Sequence, residues 1–494
     1  MATKRIHTVP TPALALNHLR VAVVQCLDSY HDVVAFLRAL PSLSEPLAAL
    51  LALLQGSSRA MDQWPAIALE RLSESEVELA LIALPAIPAI HVHNRDDFDD
   101  NVGARVADLC TLAATWPTKI THLSECIQDN EIPYVQRIVS HCTRLDAIVL
   151  HLDAFAPLLP SLPRGLRHVA LMANLYAPPP IQNIAPTLRQ WVDVGTSSKK
   201  HISFHNTWVL SDAEAVAEVV ATAPSLTGLD IDDTSELVEA LVARPKSLQY
   251  VTAFGIKRTP LKEAKQLLAR LDVAKLTRLE VDEVADVNWV LSLLHSMPNL
   301  QELSLNCGEF KTIPATLAAA TPRLRKLQVR NIGFSATAFN KFLGWACGLK
   351  QLRYVSWDVQ GHANRQLATL ASTLRQWINT TGVSEIHLFG AHGNCVAKMV
   401  ASVLCESTRG TGLTLVDLHS DGCVVSPDMV WALAQSIAHL TNTRINIATF
   451  MDDETYQHVK RQAELVRHLN PAKLTQLSVE SSGDLALVGR WGVY

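Results

Sequence analysis

Residues 298–331 contain two copies of one short pattern, and this repetition constrains the fold more than any other feature of the sequence. Leu-x-x-Leu-x-Leu occurs at 300–305, and Leu-x-x-Leu-x-Val follows at 324–329, 24 residues later. Because side chains alternate along a strand, the last two apolar positions of each copy face one core. The segment between the copies, IPATLAAATPRL, predicts a short helical turn that cannot bury its own apolar face. Such a unit is stable when it is stacked on similar neighbours.

Similar candidate strands recur along most of the chain, with a mean spacing of about 27 residues, inside the range of roughly 20 to 29 that is typical of leucine-rich repeats. Individual spacings run from 21 to 33. The central apolar residues that mark these strands are Ile148, Val169, Ile202, Leu229, Val251, Leu279, Leu303, Leu327, Val355, Ile386, Val416, Ile445 and Leu477.

A duplicated segment supports the same interpretation. Thr187-Leu-Arg-Gln-Trp-Val-Asp193 recurs 186 positions later as Thr373-Leu-Arg-Gln-Trp-Ile-Asn379, and each copy lies just before a marked strand. We expect Trp191 and Trp377 to pack between layers. The alternative is an ordinary α/β domain in which amphipathic helices recur by chance. The repeats predict an α/β leucine-rich-repeat solenoid: a horseshoe with a parallel inner sheet and outer helices, preceded by a small all-helical module.

Composition sets the outer limits of the function. The 494 residues are 48% apolar and 18% charged, which predicts a large core rather than disorder. The net charge of −4 and the lack of Lys/Arg runs argue against nucleic-acid binding. Nine scattered cysteines without a C-x-x-C pair, and an opening MATKRIHTVPTP without an apolar signal core, predict an intracellular protein, cytoplasmic or nuclear. No apolar segment reaches the length of a membrane span, so no membrane is expected.

The first part of the chain carries helical rather than strand patterns. We predict a flexible leader at 1–14, a helical module at 15–64, and the solenoid at 65–494, with regular repeats from about residue 145. The stretch from 23 to 37 resembles the middle of an F-box: an apolar residue, a leucine four positions later, an Asp-hydrophobe pair five positions after that, and an apolar helix. The residues that carry this resemblance are Val23, Leu27, Asp32, Val33, Phe36 and Leu37.

The order of helical head and repeats is similar to that of the F-box/leucine-rich-repeat family. The resemblance implies that the head docks on the adaptor of a cullin-type ubiquitin ligase while the repeats hold a substrate protein. The opening Leu-Pro of the family is absent at the expected distance, and Leu40-Pro41 replaces its closing Cys/aromatic signature. The alternative is a helical cap that shields the first repeat.

Catalytic and cofactor motifs are missing from the sequence. It contains no G-x-S-x-G, phosphate loop, dinucleotide fingerprint or H-E-x-x-H, so we expect no enzyme activity and no cofactor. The nearest approach to a metal site is His91-x-His93 followed by acidic residues 96–100, for which a solvated acidic loop is the simpler interpretation. His201 and His205, in the segment KHISFHN, are a candidate of the same kind with as little support. We therefore predict no metal site.

A horseshoe of this kind binds ligands on its concave face, at the strand residues that alternate with core positions. Four aromatic residues at such positions are of the kind that anchors protein interfaces, and an acidic stretch precedes a basic step. The predicted partner-binding residues are Asp230, Asp232, Tyr250, Phe254, Arg278, Glu280, Asp282, Glu302, Lys326, Arg330, Tyr354, Asp358, His387 and Phe389.

Three functions follow from these patterns. The first is a substrate receptor of a cullin-type ligase that binds a protein on its concave face and the adaptor through its head. The second is a ribonuclease-inhibitor-like scaffold with a helical cap and no ubiquitin role. The third is a hydrolase that uses His387 or His419 beside an acid and a nucleophile.

Overall fold

The computed structural model describes residues 17–57, 60, 63–69, 72–94, 109–125, 132–173, 183–194, 199–207, 210–284, 286–310, 312–320, 322–359, 364–389, 393–407, 412–420, 427–436, 440, 443–449, 461 and 477–481. The predicted leader at 1–14 and the acidic residues 96–100 lie outside these ranges.

The chain divides into two compact units, Met1–Ser198 and Lys199–Tyr494. The strands of the first unit are β1 (Ala66–Ala68), β2 (Ala89–Asn94), β3 (Ile120–Glu125), β4 (Ala147–His151) and β5 (His168–Met172). Those of the second unit are β6 (Lys200–His205), β7 (Leu226–Asp232), β8 (Ala253–Lys257), β9 (Arg278–Asp282), β10 (Glu302–Phe310), β11 (Lys326–Phe334), β12 (Tyr354–Asp358), β13 (Glu385–Phe389), β14 (Leu415–Ser420), β15 (Arg444–Thr449) and β16 (Leu477–Ser481).

Helices connect the strands in both units. In the first unit they are α1 (Asn17–Gln25), α2 (Tyr30–Ala39), α3 (Glu45–Gly56), α4 (Glu74–Ala83), α5 (Leu109–Thr115), α6 (Ile132–His141), α7 (Leu152–Leu158) and α8 (Ala185–Asp193). In the second they are α9 (Ala213–Thr222), α10 (Ser235–Ala243), α11 (Leu261–Leu268), α12 (Asn288–Leu293), α13 (Ala336–Cys347), α14 (Asn364–Gln376), α15 (Gly393–Cys405) and α16 (Pro427–Ser436). Short 3-10 turns and a π-helical turn at Trp377–Thr381 complete several connections.

Within each unit, consecutive strands pair in parallel and in chain order. In the second unit the register aligns Leu279 with Leu303 and Leu303 with Leu327 as direct Cα partners. All three leucines are buried. Parallel strands require a crossover, and the helices and turns between them supply it while covering the apolar strand residues. This arrangement confirms the predicted leucine-rich-repeat solenoid.

The predicted position of one strand is wrong. Val251 was expected to mark the strand between β7 and β9, but the Cα partner of both Leu229 and Leu279 is Phe254. Phe254 is completely buried, and Tyr250 lies in the turn before β8 with 37% of its surface exposed. Val251-x-x-Phe254-x-Ile256 is the true copy of the repeat pattern, so Val251 occupies its first position rather than its fourth.

Aromatic side chains pack together in the core beside β10 to β12. Phe334 stacks on Trp357 with ring centroids 5.7 Å apart, and Phe342 stacks on Phe310 at the same distance. Burial of such rings stabilises a layer by their large apolar area and by edge and face contacts. The two duplicated tryptophans, Trp191 and Trp377, are both buried, as the sequence predicted.

The N-terminal helices pack onto the first repeats of their own unit. Helix α3 packs against α4, as successive outer helices of the solenoid do. Gln25 Nε2 donates to the Pro85 carbonyl, 2.7 Å away, and Trp64 Nε1 donates to the Leu27 carbonyl, also at 2.7 Å. The domain boundary predicted at residue 64 stays a prediction.

None of the helices that the structure describes is long and apolar enough to cross a bilayer.

Candidate functional site

The strand residues that alternate with core positions form one surface in the second unit, which we call the open face. Its members stand in register from strand to strand. They are His201, Ser203 and His205 on β6; Gly228, Asp230 and Asp232 on β7; Ala253, Gly255 and Lys257 on β8; Arg278, Glu280 and Asp282 on β9; Glu302, Ser304 and Asn306 on β10; Lys326, Gln328 and Arg330 on β11; Tyr354, Ser356 and Asp358 on β12; Glu385, His387 and Phe389 on β13; Leu415 and Asp417 on β14.

Two of the predicted partner-binding residues do not belong to the open face. Phe254 points into the core, and Tyr250 precedes the strand. Both errors follow from the misplaced strand β8. The other predicted residues lie on the open face, and their role in binding a partner stays a prediction.

Asp230 is the centre of a buried network on β6 to β9. Its Oδ2 lies 2.8 Å from His201 Nε2 and accepts from Ser203 Oγ at 3.1 Å, while Oδ1 accepts from Arg278 Nη2 at 2.5 Å. Burial alone would raise the pKa of the Asp230 carboxyl, but His201 and Arg278 hold that pKa well below its usual range. Asp230 is therefore a charged group that connects β7 to the adjacent strand β6 and to β9, across β8.

A second carboxylate, Asp232, holds the ends of the same strands. Arg258 Nε donates to Asp232 Oδ1 at 2.7 Å, and His205 Nδ1 lies 3.6 Å from Oδ2. Arg258 also donates to the amide oxygen of Asn206. Burial would raise the pKa of Asp232, and the bonds to His205 and Arg258 lower it. On the next strands, Lys257 Nζ lies 3.3 Å from Asp282 Oδ2.

Two glycines leave the space that the Asp230 network fills. A Cβ atom on Gly228 would overlap the imidazole ring of His201, and a Cβ atom on Gly255 would overlap the Asp230 carboxylate. The two glycines stand in neighbouring strands and allow His201 and Arg278 to reach across to Asp230. The network thus depends on residues that carry no functional group of their own.

We expect Gly255→Ala to lower the free energy of unfolding by about 1–3 kcal/mol, because the added methyl displaces a carboxylate that is buried and ion-paired. Chemical denaturation measures the loss. Gly344→Ala is the matched control: nothing lies within 4 Å of a Cβ at this helical position, so the variant should gain about 0.5–1 kcal/mol. Equal effects of the two variants would contradict the packing at Gly255.

Acidic side chains outnumber basic ones on and beside β7 to β10. Asp233 and Glu283 lie near Arg258 and raise its pKa, together with Asp232. The acidic set is Asp230, Asp232, Asp233, Glu280, Asp282, Glu283 and Glu302, and the basic set is Lys257, Arg258 and Arg278. This part of the open face carries net negative charge and would favour a basic ligand.

Cations and aromatic rings meet on β11 to β13. Lys326 Nζ lies 5.1 Å from the ring centroid of Tyr354, and the Arg330 guanidinium lies 4.1 Å from that of Phe389. Arg330 Nε also donates to Ser356 Oγ at 3.1 Å. Contacts of this kind restrict long side chains to one geometry.

His387 connects this cluster to β14. Its ring stacks on Tyr354 at 4.7 Å, Nδ1 lies 2.9 Å from Asp417 Oδ2, and Nε2 lies 3.9 Å from Glu385 Oε2. Burial lowers the pKa of His387, but the two carboxylates more than reverse this and raise it. The charged form of His387 is thus stabilised by folding.

We expect His387 to make stability fall as pH rises. Below its unfolded pKa of about 6.5 the stabilisation is complete, and it is lost as pH rises through the higher folded pKa. The loss of unfolding free energy caused by His387→Gln should therefore be larger at about pH 6 than at about pH 9. Urea denaturation at the two pH values tests this, and Asp417→Asn should reduce the same pH dependence. A loss that does not change with pH would contradict the contact.

The His387–Asp417 pair supplies two members of a hydrolytic triad, and the described residues around it supply no third. Ser356 is the Cα partner of His387 on the adjacent strand, yet its hydroxyl is fully buried and accepts from Arg330. Among the described residues, no group of three or more His, Cys, Asp or Glu side chains could hold a metal ion. His91 instead packs its ring against that of His122 at 3.9 Å.

Several residues around Asp230 and Asp232 are not among the partner-binding residues predicted from the sequence. His201, Ser203 and His205 alternate on β6 around the correctly marked Ile202, so the same alternation rule identifies them as open-face residues. The sequence presents the two histidines only as candidate metal ligands. Arg258 and Asn206 have φ of 49° and 52°, a backbone conformation that their sequence positions do not reveal.

Comparison with known proteins gives likenesses of fold. No family model and no curated protein matches the sequence. One similar solved structure is the leucine-rich repeat-containing protein LegL7 from Legionella pneumophila, with 11% identity over 74% of this chain and 94% of that chain and a TM-score of 0.27. Another is the TLR13–ssRNA13 complex, with 13% identity over 84% of this chain and 67% of that chain and a TM-score of 0.27. No function follows from likenesses at this level.

Proposed function

We propose that this chain is a protein-interaction scaffold that binds a partner protein on the open face of its second unit. The observation that carries the proposal is a set of ion pairs and ring contacts in two clusters, one on β6 to β9 and one on β11 to β14. It fixes the side chains of a broad, mixed-charge surface before binding, so less conformational entropy is lost when a partner docks. Aromatic residues and arginine, the types that contribute most at interfaces, are among them.

Catalysis has less support than binding. The described residues that flank His387 engage its ring and its Nδ1 atom, and the neighbouring hydroxyl of Ser356 is occupied by Arg330. A hydrolase needs a nucleophile within hydrogen-bond reach of the histidine. We therefore assign His387 and Asp417 to the binding surface.

Site-specific photo-cross-linking in the full chain tests the proposed surface. A photoreactive amino acid at Ser304 or Gln328, on the open face, should form adducts with the same cellular polypeptide. The control position is Lys341 on helix α13, which is exposed and lies off the strands. Adducts that form at Lys341 and not at the open-face positions would contradict the proposal.

The F-box-like resemblance leads to a second proposal: α1 and α2 bind the adaptor of a cullin-type ligase. The surface available for this includes Val23 and Asp32, which are exposed, and the half-buried Leu27 and Phe36. Val33 and Leu37 are buried and would serve to hold the helices together. The packing of α3 on α4 supports the alternative, in which the same helices cap the first repeat.

A pull-down of the adaptor with the full chain separates the two roles of the head. Adaptor recovery that Val23→Asp and Asp32→Lys together abolish would support the receptor function, since both side chains lie on the surface. No recovery with the unaltered chain would leave the head as a cap. Thermal unfolding of the double variant should match that of the unaltered chain.

A further inference from the structure

Glu280 differs from the other carboxylates of the β7–β9 region. Asp230, Asp232 and Asp282 each have a cationic partner: Arg278 on β9, Arg258 directly after β8, and Lys257 on β8. Glu280 lies half-buried at the middle position of β9. Within the described part of the chain, it makes no hydrogen bond or ion pair.

The neighbouring cations are engaged elsewhere. Arg278, two residues before Glu280, turns toward Asp230 with Nη2 2.5 Å from Oδ1, and Lys257 turns toward Asp282. The residues in register beside Glu280 are Gly255 on β8 and Ser304 on β10. The Asp230 carboxylate lies over Gly255, so the small neighbour of Glu280 with space above it is Ser304.

The environment of Glu280 disfavours an isolated negative charge. Burial raises the pKa of its carboxyl, and Asp230 and Asp282 add to that rise by repulsion. Asp282, two residues further on, is 6% exposed, and its Oδ1 has no hydrogen-bond partner among the described residues. The Glu280 carboxylate is half-buried rather than enclosed, so a donor brought by a partner can reach it and offset its cost of burial.

We propose that Glu280 receives a lysine or arginine side chain of the partner protein on the open face. This inference rests on the proposed binding function and adds the chemistry of the bound segment. A cation placed over Ser304 on β10 reaches Glu280 without displacing a large side chain, whereas the Asp230 carboxylate already occupies the space beside Gly255. It also lies among the excess acidic residues of β7 to β10, which attract a basic segment at long range. The charge-assisted bond is stronger than a bond between neutral groups because both partners are ionised.

Selection of peptides on the immobilised full chain tests the proposal. The probe is a displayed library of random dodecapeptides, and the selected peptides are sequenced and synthesised. We expect lysine and arginine to be enriched over the starting library. The selected peptides should bind Glu280→Gln about tenfold or more weakly than the unaltered chain.

Glu239→Gln is the matched control, because Glu239 is an exposed carboxylate on helix α10, off the open face. It should change peptide affinity by less than about twofold, in keeping with the small energies of exposed pairs. Glu280→Gln should fold at least as stably as the unaltered chain, since it removes an unpaired charge. Urea denaturation checks this.

The outcomes separate the inference from the function on which it rests. Selected peptides that cross-link to the open face but show no basic excess, or bind Glu280→Gln equally well, overturn the role of Glu280 alone. Peptides that cross-link only outside the open face contradict the proposed binding surface itself. A library that yields no binder above an unrelated control protein also counts against the inference.

Discussion

Asp230→Ala is expected to lower the free energy of unfolding by about 3–5 kcal/mol, because it removes the carboxylate that compensates a buried cation. Arg278 keeps only 20% of its side-chain surface exposed, and its Nη2 would lose the 2.5 Å bond to Oδ1. His201 would lose its partner as well. Chemical denaturation followed by circular dichroism measures the loss.

The control for Asp230→Ala is Asp272→Ala. Asp272 pairs with Lys275 at 2.8 Å, but its side chain is 41% exposed and that of Lys275 64%. Solvent screens an ion pair of this kind, so its removal should change stability by less than about 1 kcal/mol. If the two variants lost the same amount, the Asp230 network would contribute no more than a surface pair.

Phe254→Ala is expected to cost about 3–5 kcal/mol, the usual range for removing a buried aromatic ring. Phe254 has no exposed surface and lies between Leu229 and Leu279 in the register of the sheet. The truncation leaves a cavity in the middle of a layer. The same denaturation experiment gives the value.

Tyr250→Ala separates the observed strand position from the one that the sequence predicted. Tyr250 is 37% exposed in the preceding turn, so we expect its removal to change stability by about 0.5 kcal/mol or less. A large loss at Tyr250 with little loss at Phe254 would favour the predicted position of β8 and contradict the structure.

The repeat pattern was sufficient to predict the solenoid and most of its register. Leu279, Leu303 and Leu327 were marked as strand centres, and they are successive Cα partners. A period-2 pattern fixes which side chains face the core, and a recurring strand spacing fixes the order of the strands. Both properties follow from the order of residues along the chain, so they can be predicted from the sequence alone.

The position of β8 could not be decided from the same pattern. Val251 and Phe254 are both apolar and three residues apart. Because the repeat pattern itself has apolar positions three residues apart, either residue fits its central core position. The true strand contains Ala253 and Gly255, which have low strand propensity, and this weakened its signal. Packing against Leu229 and Leu279 determines that Phe254, and not Val251, takes the central core position.

The contacts of the open face depend on pairs that are distant in sequence. Asp230 was predicted as a surface carboxylate, but its burial follows from His201 on one side and Arg278 on the other. These side chains meet because Gly228 and Gly255 leave room for them. Neither glycine is distinguishable in the sequence from a glycine that ends a helix or forms a turn.

The in-register stack that presents one open face can be tested most directly by engineered disulfides. Ser304 and Gln328 are Cα partners on β10 and β11, and Ser356 follows in register on β12. With Cys307 replaced by Ser throughout, Ser304→Cys combined with Gln328→Cys should oxidise to a disulfide, because adjacent strands lie about 5 Å apart. Ser304→Cys combined with Ser356→Cys should not, since two strand spacings of roughly 10 Å exceed the reach of a disulfide. Peptide mapping by mass spectrometry that finds the second bridge, or fails to find the first, would contradict the account.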